Sequence, residues 1–118
     1  MAVGDGFFHD AEGRPIGLAE CLALTRDLAY GKVAFTAITS DSDPRIGFYV
    51  RTAWSGLGSD TRGGQRLFRT LVQFAGDLRL PELEHTRHWR GREEAERGHR
   101  AVVEEIAGGI PDVRVVAA

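Results

Sequence analysis

Residues 46–54, Ile46-Gly47-Phe48-Tyr49-Val50-Arg51-Thr52-Ala53-Trp54, decide the fold. Ile46, Phe48, Val50, Thr52 and Trp54 fall on one side and Tyr49, Arg51 and Ala53 on the other, the two-residue period of a strand with one covered face. The first side is the core side. Before it, Ser40-Asp41-Ser42-Asp43-Pro44-Arg45 is polar, short and proline-bearing, a composition that closes a hairpin. The hairpin partner is residues 32–39, where Val33, Phe35 and Ala37 alternate with Lys32, Ala34 and Thr36 in the manner of a half-buried strand. After it, residues 56–66 are rich in Gly, Ser, Asp and Thr and read as a mobile loop. A third strand follows over residues 67–75, setting Phe68, Thr70, Val72 and Phe74 against Leu67, Arg69, Leu71 and Gln73. Apolar residues on both of its faces predict a central strand or a partly covered second face.

Farther out the period changes. Leu18, Cys21, Leu22, Thr25 and Leu28 recur at helical spacing, and Gly31 stops that helix. Residues 91–107 form a second helix with Ala95, His99, Val102, Val103 and Ile106 in one stripe. Its Glu93/Arg97 and Glu96/Arg100 pairs each add about 0.3–0.5 kcal/mol, and Gly108-Gly109 ends it. At the N-terminal end, Asp10 to Ile16 is an Asp/Gly/Pro cluster that reverses the chain after a short strand. Residues 76–90, with Pro81 and no sustained period, read as a connection, and residues 112–116 either add an edge strand or fray. The expected architecture is one α+β domain over residues 1–118, an antiparallel sheet of three or four strands with two helices packed on one face.

Composition agrees with a single domain. The 118 residues include 15 basic and 17 acidic side chains, a net charge of −2, with 42% apolar and 27% charged content. A chain of this size buries roughly 65% of its unfolded surface, enough for one core. The sequence has no apolar run near the ~18–20 residues of a membrane span and no signal-like N-terminal segment, so the expectation is an unprocessed cytoplasmic protein. The lone Cys21 rules out an intrachain disulfide or a cysteine-rich zinc site and reads as a small buried apolar residue. All the basic residues except Lys32 are arginine, and the near-even charge balance argues against general nucleic-acid binding.

Three segments carry a family resemblance: Val50-Arg51-Thr52-Ala53-Trp54-Ser55-Gly56-Leu57, Phe68-Arg69-Thr70-Leu71-Val72, and Trp89 followed by Glu93-Glu94-Ala95-Glu96-Arg97-Gly98-His99. Together they resemble small actinobacterial and actinophage proteins with the pattern V-S-T-V-W-L-G, F-E-T-M-V-F and E-E-A-x-x-G-H. The resemblance spans roughly residues 30–106, and Asp10, Gly13 and Pro15 fit the family's opening turn. It implies an organisation and assigns no activity. Trp54, Gly56, Thr70, Gly98 and His99 stand at family-like positions, whereas Arg69 replaces a glutamate and Gln65-Arg66 a proline pair.

His99 is the sharpest catalytic candidate, since an imidazole on an apolar helix stripe is either a buried base with a displaced pKa or a core side chain satisfied by a strand carbonyl or threonine. Tyr49, Arg51, Arg69 and Gln73 form a second set. If their strands are neighbours, alternation projects all four from the side opposite the core, where two guanidinium forks and a tyrosine suit a carboxylate, phosphate or nucleobase. The bland alternative is a solvated face with arginine stems covering apolar surface. Trp54 and Trp89 either line a pocket or plug a core edge. His85 and His88, with His9 and Glu84, lack metal-site spacing, and Asp41 and Asp43 lack the distal glutamate of a calcium loop, so neither a metal nor another cofactor is expected.

Two functions follow. One is a non-enzymatic interaction or regulatory module, a possible homodimer, presenting the Tyr49/Arg51/Arg69 face and the loop over residues 56–66 to an acidic partner. The other is a small enzyme or ligand-binding protein with a helix–sheet pocket, using His99 as acid/base, Arg51 or Arg69 to hold an anionic substrate, and Trp54 as a wall. Stacking of single-stranded nucleic acid on Tyr49 is a third, disfavoured by the charge balance.

Overall fold

The computed structural model describes residues 8–55, 67–77 and 86–117. In chain order the elements are α1 (Leu18–Thr25), α2 (Leu28–Gly31), β1 (Lys32–Ser40), β2 (Gly47–Trp54), β3 (Phe68–Phe74), β4 (Thr86–Trp89), α3 (Arg92–Ala107) and β5 (Val113–Ala117). The strands form one antiparallel sheet in the order β4-β3-β2-β1-β5. The first four are a meander, and α3 then returns the chain to the opposite edge. Its 16 residues make a rod of about 24 Å, against about 19 Å for the four interstrand spacings it must cross. One helix therefore spans the sheet.

The fold is α+β with helices against an antiparallel sheet, and it has five strands where three or four were expected. The extra strand beyond the tail is β4, inside the stretch read as a connection. Its alternation is hidden because Arg87 occupies a covered-side position, where its guanidinium reaches Glu105 of α3 at 2.9 Å. The N-terminal helix is also two pieces. Asp27 breaks it, its Oδ1 accepting from the backbone N–H groups of Ala29 (3.1 Å) and Tyr30 (3.3 Å) and so capping α2. Leu28, expected on the apolar stripe, is instead 85% exposed.

The covered side of the sheet holds two apolar clusters. Ile16, Cys21, Trp54, Leu67, Phe68 and Ala95 form one, and Ile38, Phe48, Val50, Val72, Val102 and Ile106 the other. Burial raises the pKa of the Cys21 thiol, so it serves as packing. Between the clusters lies a polar layer of Thr52, Thr70 and His99, joined by Thr36. On β1 the buried side is accordingly Thr36, Ile38 and Ser40, while Phe35 and Ala37 face the other way, half-buried. No helix of the described residues is long and apolar enough to cross a membrane.

Candidate functional site

The side of the sheet away from α3 presents Phe35 from β1, Tyr49 and Arg51 from β2, and Arg69, Leu71 and Gln73 from β3. The register pairs Tyr49 with Gln73, Arg51 with Leu71 and Ala53 with Arg69, so the two arginines are diagonal neighbours, their Cα atoms on the order of 7–8 Å apart. Phe35 lies directly opposite Arg51 on β1. The Arg51 guanidinium sits 5.7 Å from the Phe35 ring centre, within cation–π range, and the Tyr49 ring is 5.4 Å from that of Phe35. Arg51 is thus held over an aromatic plane, and among the described residues neither arginine forms an ion pair.

At one end of the sheet, where β1 and β2 slip register between Lys32 and Ala34, residues of α1, α2 and the strands border an open cavity of about 560 Å³. Arg51, Arg69 and Lys32 border it from the sheet, while Leu24, Leu28 and Asp27 border it from the helices. Phe35, Ala53 and Trp54 add apolar wall, and Thr25 and Thr52 add hydroxyl-bearing residues, so cationic groups meet a largely apolar lining. Among the described lining residues, three cations against one carboxylate leave a positive excess in a volume suited to a small ligand. Asp27 is further committed to the α2 backbone. The α2–β1 junction is held from below by Arg92, whose guanidinium donates to the carbonyls of Tyr30 and Lys32, each at 3.4 Å.

His99 lies elsewhere. It is 4% exposed beneath α3, with Nε2 2.8 Å from Thr36 Oγ1 and Nδ1 2.7 Å from Thr52 Oγ1. Thr52 and Thr70 hydroxyls are 2.5 Å apart across the strands, and Trp89 Nε1 donates to Thr70 Oγ1 at 2.8 Å. Burial lowers the imidazole pKa, which favours the neutral ring, and a neutral ring can donate from one nitrogen and accept at the other. The site is a closed relay of polar groups inside the core.

The sequence-predicted residues therefore divide. Tyr49, Arg51, Arg69 and Gln73 share the uncovered face, whereas His99 is on the opposite side of the sheet and does not border the cavity. Trp54 is 7% exposed, belongs to the core and donates through Nε1 to the His9 carbonyl at 2.9 Å, while also lining the cavity wall. His88 is exposed on β4, and His85, Glu84 and the loop over residues 56–66 lie outside the described residues. Asp43 is held by Arg45 and Asp41 by Arg114, so both carboxylates serve the hairpin and its neighbouring strand. Among the described residues, no three His, Cys, Asp or Glu side chains gather where they could hold a metal ion. Sequence reasoning missed Phe35, Lys32 and Leu28 as site residues. The hairpin signal could have found Phe35, because setting the turn at residues 41–45 places it opposite Arg51. In comparisons with protein-family models, curated proteins and solved structures, nothing matched the chain.

Proposed function

We propose that this protein is a binding module whose uncovered sheet face engages an acidic partner through Arg51 and Arg69. The observation behind this reading is the pair itself: two exposed guanidinium groups at diagonal positions, without carboxylates among the described residues to neutralise them, one of them preset over Phe35. Arginine in such a setting keeps its fork of donors for an incoming carboxylate or phosphate. The family-like positions Thr70, Gly98 and His99 belong in this reading to the scaffold behind the face.

The test is fluorescence anisotropy with labelled Asp/Glu-rich peptides and Lys-rich controls, using wild type and the Arg51→Ala/Arg69→Ala double variant. Acidic peptides should bind the wild type, weaken as salt rises and lose about tenfold or more in affinity in the double variant. Equal binding by both proteins, or no preference for acidic over basic peptides, would remove the reading.

A further inference from the structure

Leu28 is an exposed leucine at the mouth of a cavity whose sheet side is cationic. At 85% exposure it leaves almost all of its apolar surface in water, on the single-turn helix α2. Beside it, Leu24 adds apolar surface, and Phe35 and Trp54 place aromatic carbon on the wall. The three cations of the described lining, Arg51, Arg69 and Lys32, all stand on the sheet side, whereas both leucines come from the helices. A bare inorganic anion would satisfy the cations and leave the leucines wet, while a neutral hydrocarbon would cover the leucines and strand the cations.

We infer that the cavity binds a small amphipathic anion, a flat apolar body carrying a carboxylate or phosphate head. The head is held by Arg51 and Arg69, diagonal neighbours whose planar forks suit either oxyanion. The body lies between Leu24 and Leu28 on one side and Phe35 and Trp54 on the other, within a volume of about 560 Å³, inside the usual range for small-ligand sites. Asp27 is the one carboxylate among the described lining residues, and the three cations Lys32, Arg51 and Arg69 outnumber it. This inference rests on the anion-binding reading above and adds the apolar half of the ligand.

The experiment is isothermal titration calorimetry at pH 7.4 with four probes: 2-naphthoate, 2-naphthyl phosphate, 2-naphthalenemethanol and acetate. Each is titrated into wild type, Arg51→Ala/Arg69→Ala and Leu28→Ser, substitutions at exposed positions where folding is checked by circular dichroism. At least one naphthyl anion should bind at one site about tenfold or more tighter than either the alcohol or acetate. The double arginine variant should lose about tenfold or more of that affinity, and Leu28→Ser should weaken the naphthyl anions several-fold while leaving acetate unchanged. Naphthyl anions that bind no better than acetate, or that bind the double variant as well as wild type, overturn the inference. Running the acidic-peptide titration alongside separates the two failures: retained peptide binding with no naphthyl advantage sinks only the amphipathic site, whereas loss of both sinks the anion-binding face itself.

Discussion

The indole of Trp89 lies so close to Gly98 that a β-carbon at position 98 would overlap its six-membered ring. This contact lets the ring slide between α3 and β3 until Nε1 reaches Thr70 Oγ1. Glycine inside a helix normally costs about 1 kcal/mol relative to alanine. Here the sign should reverse. Gly98→Ala is expected to destabilise the protein by roughly 1–3 kcal/mol, because the added methyl must push either the helix or the indole out of place. Urea denaturation measures it, and a variant more stable than wild type would show that the close approach does not exist.

Thr70 is the hub of the buried relay, accepting from Trp89 and sharing a hydrogen bond with Thr52. Replacing it with valine keeps the shape but leaves the indole N–H without its acceptor and Thr52 with one partner fewer. The expected loss is about 1–3 kcal/mol for the buried groups left unsatisfied. Thr39→Val, on the exposed side of β1, should change stability by no more than about 0.5 kcal/mol. Equal small effects at both positions would mean that the relay contributes nothing to stability.

His99 gives the fold a pH dependence of defined sign. Unfolded, the imidazole titrates near 6.5; folded, burial lowers that value. Between the two pKa values the unfolded chain holds a proton that the folded chain does not, so acidification favours unfolding. The contribution is complete above about pH 6.5 and is lost as pH falls toward the folded pKa, with a slope no steeper than about 1.4 kcal/mol per pH unit. Denaturation midpoints measured from pH 8 to pH 5 should decline in wild type and decline less in His99→Gln. A variant with the same decline as wild type would assign the effect to other groups.

These buried contacts also show what could be read in advance. The covered sides of β2 and β3 were legible because their alternation is unambiguous, and with the two strands paired that alternation puts Tyr49, Arg51, Arg69 and Gln73 on one face. The covered side of β1 was not, since Thr36 points inward only because a histidine 63 positions later accommodates its hydroxyl. β4 was hidden for a similar reason, with Arg87 taking a covered-side position that Glu105 makes tolerable. Both depend on long-range partners that local periodicity cannot contain. The cavity shares this limit: its cationic side follows from strand pairing, whereas its apolar side depends on a helix break at Asp27 that turns Leu28 outward.

That break is open to a direct test. Asp27 is the sole side-chain cap of α2, an element of four residues with no buried residue to anchor it. Removing the cap by Asp27→Ala should cost about 0.5–2 kcal/mol, and the cost should be local because α3 and the sheet do not depend on it. Hydrogen exchange should therefore quicken at the Ala29 and Tyr30 amides, which lose their acceptor, while the α3 amides of Val102 and Ile106 keep their protection. Asp27→Asn, which retains a capping oxygen, should restore most of the protection. If Ala29 and Tyr30 exchange at the same rate in all three proteins, the cap does not hold α2 in place, and the helical side of the cavity owes its position to the other anchors of Tyr30: its edge-on packing against Trp54 at 5.2 Å, its hydroxyl on the Ala11 N–H, and Arg92 on its carbonyl.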